Sequence, residues 1–173
     1  GFINRYLVRN LTKKNYRCII STRKPFQKGY LKPQATPGSI ELIEWNTNNF
    51  SELKEAIKNS DIVINLIGIL FETRKQKFYN IHSEIPEAIS KICSETDVKK
   101  FIHVSAIGAS ETSKSLYQKS KFQGEVKALA NFKNTIIIRP SVICGTEDNF
   151  TNLFSKLSFL PIIPVVRMNY KFQ

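Results

Sequence analysis

The chain has 173 residues, of which 42% are hydrophobic and 23% are charged, and this composition excludes disordered, collagen-like and disulfide-stapled proteins. The net charge of +12 is unevenly distributed, because residues 1–40 contain nine Lys or Arg and no acidic residue. A basic end of this kind attracts nucleic acid, anionic lipid or a phosphorylated small molecule, and charge alone does not choose among them. Three widely spaced cysteines without a CxxC pair indicate a reducing compartment.

The first third of the chain begins with apolar residues at helical spacing over 2–11, followed by a short, partly β-branched strand at 17–22. Residues 24–39 contain three Pro and two Gly, which predicts a loop, and 39–45 alternates like a strand. A short helix follows, with Asn48 or Ser51 as its expected N-cap. The nearly continuous apolar run at 61–70 predicts a strand covered on both faces.

The same alternation continues downstream. It predicts a helix over 81–92 with Pro86 in its first turn or at a kink, a strand at 100–105, a helix at 116–130, a strand at 135–139 and a short amphipathic segment at 150–157. Helix and strand in alternation are typical of an α/β fold with a doubly wound parallel sheet. The most apolar stretches are too short to span a membrane.

In a doubly wound sheet, ligands bind beyond the carboxyl ends of the strands. The residues that directly follow the predicted strands are therefore candidates for a site, although each could equally be an ordinary strand-to-loop transition. Asn65, Leu66, Ile67 and Gly68 follow the strand residues 61–64 at the start of the apolar run. Ser105 follows the strand at 100–104, and Pro140, Ser141 and Val142 follow the strand at 135–139.

Tyr117 and Lys121 are spaced i, i+4, which places them on one face of a helix. A nearby ammonium favours phenolate, so Lys121 is expected to lower the pKa of Tyr117 and to make it a general acid or base. Ser105 could hydrogen-bond the same substrate oxygen. His82 and His103 show no metal-ligand spacing and are interpreted as polar-edge and strand residues.

Five stretches occur in an order and at spacings that resemble the short-chain dehydrogenase/reductase superfamily: GFINRYLVRNL, DIVINLIG, KKFIHVSAIGA, SLYQKSKFQGE and TIIIRPSVICGTEDNF. Within it, they resemble the atypical branch that includes the nucleotide-binding accessory subunit of respiratory complex I. The resemblance implies a Rossmann-type domain over 1–145 and the start of a substrate region over 146–173. It also implies strand order 3-2-1-4-5-6 with the first, central strand absent, as in a chain truncated at both ends.

The resemblance also implies functional residues. Gly1 matches the second glycine of the family's cofactor loop, whereas Asn4 stands where a third is usual. Ser105, Tyr117 and Lys121 are the implied catalytic residues. The implied cofactor-binding residues are Gly1, Phe2, Ile3, Arg23, Leu66, Ile67, Gly68, Val104, Tyr117, Lys121, Pro140, Ser141 and Val142.

The residues after the second strand of the family's order bear on the choice of cofactor. They read Ser21-Thr22-Arg23-Lys24, without the Asp or Glu that would bind the ribose 2′-hydroxyl of NAD. Two cations at this place favour NADP over NAD.

The leading hypothesis is therefore an NADP(H)-binding domain with a structural or regulatory nucleotide site. Its implied partner is respiratory complex I or another membrane-associated redox protein, in a bacterial cytoplasm or a mitochondrial matrix, peripheral to the inner membrane. An active NADP-dependent reductase or sugar-nucleotide epimerase is the alternative. Nucleic-acid binding is a third possibility, but the basic end lacks interleaved aromatic residues and a recognised motif.

Overall fold

The computed structural model describes residues 1–34, 36–46 and 50–157. The elements in chain order are α1 (Phe2–Lys13), β1 (Cys18–Thr22), a 3-10 helix (Pro25–Gln34), β2 (Ile40–Glu44), α2 (Ser51–Lys58), β3 (Ile62–Asn65), a π-helix (Asn80–Glu84), α3 (Ile85–Ser94), β4 (Lys100–Val104), α4 (Leu116–Asn131), β5 (Thr135–Ile138) and α5 (Asn149–Leu157). In these ranges no helix has both the length and the apolar character that a bilayer crossing needs.

The chain forms two compact units. The first comprises Gly1 and Ile3–Ser141, and it holds all five described strands. Within the described ranges, the second comprises Phe2 and residues 142–157, which include α5. The predicted division into domains 1–145 and 146–173 stays a prediction.

The strands form two parallel sheets, which confirms the predicted fold class. β1 pairs with β2, and β3, β4 and β5 pair in that order. These pairings correspond to the 3-2 and 4-5-6 parts of the expected strand order. Within the described ranges, β1 and β3 each have a strand partner on one side only.

Each sheet has a hydrophobic core of its own. The smaller core joins α1 to the two-stranded sheet through Val8, Cys18, Ile20, Leu31 and Ile40. The larger core packs α2, α3 and α4 against β4, and its members include Leu53, Ile57, Ile85, Ile89, Ile92, Phe101 and Ala128. In α3 these residues follow the 3.6-residue period of a helix that buries one face.

Three predicted elements differ from the observed ones. The expected loop at 24–39 contains a 3-10 helix, because Leu31 is drawn into the smaller core with 2% of its surface exposed. The strand at 61–70 ends at Asn65, and the apolar residues that follow belong to a loop. Ser51 is the first residue of α2 and not its N-cap. The alternative cap, Asn48, lies outside the described residues.

α4 packs unusually closely against the π-helix. A Cβ atom at Gly124 would overlap the carbonyl oxygen of His82, so the close approach requires glycine at this position. Pro86 occupies the first turn of α3, directly after the π-helix, as the sequence predicted. This contact fixes the side chains of the π-helix relative to α4.

Candidate functional site

The segments that follow β4 and β5 lie side by side at the carboxyl edge of the three-stranded sheet. The Ser105 N–H donates to the carbonyl oxygen of Ile138 at 2.8 Å, and the Ile107 N–H donates to that of Pro140 at 3.0 Å. Since β3 is parallel to β4 and in register with it, Leu66, Ile67 and Gly68 leave the sheet at the same edge. The predicted strand-end residues of this unit therefore share one edge.

The loop after β3 is held by Asn65, whose side chain is buried. Its Oδ1 accepts the Ile67 N–H at 3.0 Å, which leaves its amide NH2 facing Nδ1 of His103 at 3.2 Å. Because an amide NH2 only donates, Nδ1 of His103 accepts and Nε2 carries the proton. That Nε2 has no hydrogen-bond partner among the described residues.

Lys121 lies between the end of β4 and the loop after β3. Its ammonium donates to the Val104 carbonyl oxygen at 3.2 Å, and a Cβ at Gly68 would lie 3.2 Å from its Nζ. Only 4% of the lysine is exposed. Burial lowers the pKa of Lys121 to about 8, against the opposing effect of the Glu125 carboxylate.

Glu125 continues the face of α4 that carries Tyr117 and Lys121, and it is buried. Arg139, directly after β5, donates from Nε to one carboxylate oxygen at 2.9 Å and from its terminal nitrogen to the other. This bidentate ion pair joins α4 to the end of β5. Sequence reasoning missed it, although the i, i+4 spacing from Lys121 to Glu125 was available as a signal.

Tyr117 is half-buried in the first turn of α4. Its ring packs edge-on against Phe78 at 5.7 Å and against His82 at 5.2 Å between centroids. Burial raises the pKa of the phenol. The expectation that Lys121 lowers this pKa was therefore wrong: the lysine ammonium is engaged by the Val104 carbonyl, and desolvation dominates at the phenol.

Ser105 directly follows β4 and is 4% exposed. Its hydroxyl has no hydrogen-bond partner within the described part of the chain. Buried hydroxyls are almost always paired, so an unpaired one at a strand end calls for an explanation, and a ligand-binding role is one. This is an arrangement that suits the substrate-binding role predicted for it.

The interpretation of His82 as a polar-edge residue was wrong, because the side chain is fully buried. Its Nε2 accepts the Ile69 N–H at 3.0 Å, and its Nδ1 lies 2.9 Å from the Ser120 hydroxyl. His103 is a strand residue, as predicted, and is also fully buried. Across the described ranges, no group of His, Cys, Asp or Glu side chains could hold a metal ion.

The other predicted residues lie at the start of α1, after β1 and after β5. Gly1 is the N-cap of α1, in which Phe2 and Ile3 form the first turn. Arg23 follows β1 and is exposed, and Arg5 lies 4.8 Å above the ring of Tyr30. Pro140 and Ser141 end the first unit, whereas Val142 belongs to the second and is 56% exposed.

This fold and this strand-end site define a Rossmann-type α/β protein. The NAD dependent epimerase/dehydratase family matches residues 1–157, and the chain belongs to that family. In agreement, the fold superposes on a UDP-glucuronic acid 4-epimerase from Bacillus cereus in complex with NAD with a TM-score of 0.69 and 20% identity, covering 84% of this chain and 55% of that one.

Two similar proteins come from mitochondria. The chain is 36% identical over 172 residues to "NADH dehydrogenase (ubiquinone) 1 alpha subcomplex subunit 9, mitochondrial" of Mus musculus, covering 99% of this chain and 46% of that protein. It is 32% identical over 148 residues to "NADH-ubiquinone oxidoreductase 40 kDa subunit, mitochondrial" of Neurospora crassa, covering 86% and 40%. The chain thus spans about half the length of the curated relatives it matches.

Proposed function

We propose that this chain binds NADP(H) and is the nucleotide-binding part of an accessory subunit of respiratory complex I. The nucleotide part is supported by one arrangement above all, in which Lys121 donates to the Val104 carbonyl and lies beside Gly68 at the carboxyl edge of the sheet. The accessory role is supported by the similarity to two NADH dehydrogenase subunits.

The residues at hand fit a dinucleotide. The N-terminus of α1, with Gly1 as its N-cap and Phe2 and Ile3 in its first turn, suits a pyrophosphate, because helix N-termini attract anions. The absent side chain of Gly68 lets Lys121 approach the loop after β3, and the unpaired hydroxyl of Ser105 adds a polar group at the sheet edge. Further groups proposed for the same ligand are Leu66, Ile67, Val104, Tyr117, Lys121, Pro140 and Ser141, whereas the role of Val142 stays a prediction.

The preference for NADP over NAD is supported by the exposed cations Arg23 and Lys24 after β1. A 2′-phosphate would find charge there, whereas no acidic side chain follows β1 to accept a ribose 2′-hydroxyl. A bidentate guanidinium is the side chain best suited to a phosphate.

A structural or regulatory site is compatible with the state of Tyr117, because burial raises the pKa of its phenol. A protonated phenol can give a proton to a carbonyl but is a poor general base, so oxidation of an alcohol, which needs a base, is disfavoured. In a structural role the bound nucleotide would stabilise the subunit and would not be consumed.

A fluorescence titration with NADPH and NADH tests the proposal. We expect saturable NADPH binding, and weaker NADH binding. Arg23→Ser should remove most of the difference between the two nucleotides. Arg17→Ser is the control for charge, because it removes the same charge immediately before β1 and breaks only an exposed ion pair with Glu41. Absence of NADPH binding would refute the nucleotide site, and equal affinities would refute the role of Arg23.

The accessory role has a separate test. The tagged protein, expressed from its complete natural reading frame, should co-migrate with NADH dehydrogenase activity when the organism's mitochondrial or bacterial inner membranes are resolved on native gels. The expected location is the mitochondrial matrix side, or the bacterial cytoplasm, at the inner membrane. Migration as a free protein would refute this partner and leave the nucleotide proposal standing.

An active NADP-dependent reductase or epimerase is the second candidate, favoured specifically by the unpaired hydroxyl of Ser105. In this alternative Ser105 orients a substrate carbonyl, Tyr117 supplies the proton and Lys121 holds the nicotinamide ribose. NADPH oxidation in the presence of a panel of carbonyl compounds tests it. Turnover that is abolished by Tyr117→Phe would establish the enzyme, and no turnover with any carbonyl would favour the accessory role.

A further inference from the structure

His82 connects the loop after β3 to α4, and its two ring nitrogens have different partners. The Ile69 N–H donates to Nε2, so this nitrogen accepts and carries no proton. The proton is therefore on Nδ1, which donates to the Ser120 oxygen. The Ser120 hydroxyl in turn donates to the Tyr117 carbonyl oxygen at 2.7 Å. Every donor in this chain has an acceptor, so one tautomer of His82 is selected.

The surroundings of His82 keep it in place and uncharged. The ring stacks on Phe78 with 5.4 Å between centroids, and Tyr117 covers it edge-on. Burial and the nearby Lys121 ammonium lower its pKa to about 4. Near neutral pH, Nε2 therefore remains an acceptor for the Ile69 amide.

The backbone carbonyl of the same residue meets α4 where Gly124 permits the close approach. His82 thus reaches the loop with its side chain while its main chain is packed against the helix. Gly68, which faces Lys121, directly precedes Ile69. A shift of the Ile69 amide would consequently also move Gly68 relative to Lys121.

We infer that His82 is a positioning residue for the nucleotide site: it holds the loop of residues 66–69 against α4 and so sets Gly68 against Lys121. This inference rests on the proposed nucleotide function, because the position of the loop affects binding only if a nucleotide binds there. The hydrogen bonds of His82 themselves form without a nucleotide. His82 touches no reacting atom in this arrangement, and its effect is exerted through the loop.

Three substitutions of His82 distinguish its hydrogen bond with the Ile69 amide from its hydrogen bond with Ser120. His82→Gln keeps an acceptor near the former Nε2 and can still bond the Ile69 amide. His82→Asn keeps a donor near the former Nδ1 and serves only Ser120. His82→Phe keeps the ring packing and loses both hydrogen bonds. Ser83→Ala is the matched control, because Ser83 lies in the same π-helix, is fully buried and has no hydrogen-bond partner for its hydroxyl among the described residues.

Amide hydrogen exchange of peptides covering residues 66–69 is the first measurement, on the protein without nucleotide. We expect faster exchange in the Asn and Phe variants, and near wild-type exchange in the Gln variant and the control. NADPH affinity is the second measurement, and it should fall about tenfold in the Asn and Phe variants, as expected when a buried amide loses its acceptor. Restoration by Gln but not by Asn is an outcome that a general loss of packing would not produce.

Wild-type exchange in a folded Phe variant would overturn the inference, and so would restoration by Asn instead of Gln. If the Phe variant fails to fold, the Gln and Asn variants decide the matter. If the wild-type protein binds no NADPH, the proposed function fails, and the exchange measurement alone still decides whether His82 holds the loop.

Discussion

Two histidines buried without charge make stability dependent on pH. His82 and His103 are fully buried, and desolvation with the nearby Lys121 lowers their pKa values to about 4 and about 3. Unfolding restores an ordinary pKa near 6.5, so below that pH the unfolded state binds more protons than the native state. Lys121 stays protonated in both states over this range, since its pKa is about 8.

We therefore expect the free energy of unfolding to fall as the pH decreases from about 6.5 toward 4, by up to about 1.4 kcal/mol per pH unit for each histidine. Urea unfolding at a series of pH values measures this dependence. His82→Gln should reduce its slope, whereas replacing an exposed cation such as Lys133 should not. An unchanged slope in the Gln variant would show that His82 does not titrate as inferred.

The ion pair of Glu125 and Arg139 is asymmetric, because 4% of the Glu125 side chain is exposed and 47% of the Arg139 side chain. Arg139→Ala leaves a buried carboxylate without a partner and should destabilise the protein by about 3 kcal/mol. Glu125→Gln leaves a guanidinium that water can solvate and should cost about 1 kcal/mol. Urea unfolding of both variants checks the order, and equal losses would contradict it.

At the scale of elements, the positions of most helices and strands followed from the sequence. The periodic apolar faces of α1 and α3 and the β-branched segments of β1 and β5 were sufficient. The apolar run at 61–70 did not show where β3 ends. Ile67 and Ile69 are apolar because they pack against the larger core from a loop. A run of apolar residues does not distinguish a strand from a loop that covers the core.

The π-helix and the site around it could not be predicted from the sequence. Tyr117, Lys121 and Ser105 were found because they follow strands or share a helix face. The contacts of His82 depend on a local helical geometry that shifts its side chain toward Ile69 and Ser120, and π-helices have no strong sequence signal. Gly124 was the available clue, since a glycine in the middle of α4 costs helix stability and needs a packing reason.

Gly124→Ala tests the packing of α4 on the π-helix. Alanine ordinarily stabilises a helix relative to glycine, but here its Cβ would overlap the His82 carbonyl. We expect a loss of about 1–3 kcal/mol in the free energy of unfolding, as for an overpacked core. Gln123→Ala, at the exposed neighbouring position of the same helix, is the control and should change stability little. A stabilised Gly124→Ala variant would contradict the close approach.

At the scale of the whole molecule, the net charge of +12 is carried mainly by the first 40 residues, which include α1, β1 and the 3-10 helix. The remaining residues contribute only +3, since they hold 17 basic and 14 acidic side chains. Many of those acids form surface ion pairs, such as Asp61 with Lys99 and Glu95 with Lys54. The positive potential is therefore concentrated around the first helix and the first strand.

This charge distribution predicts a difference in salt dependence between the two nucleotides. NADPH carries a 2′-phosphate that NADH lacks, so its attraction to the basic first 40 residues is larger and more strongly screened. Raising the salt concentration from about 0.05 to about 0.5 M should weaken NADPH binding several-fold more than NADH binding. Titrations at both concentrations measure the two slopes. Arg23→Ser should make the salt dependence of NADPH binding similar to that of NADH binding, whereas Arg17→Ser should preserve the difference. Equal slopes in the wild-type protein would mean that the basic region does not contact the 2′-phosphate.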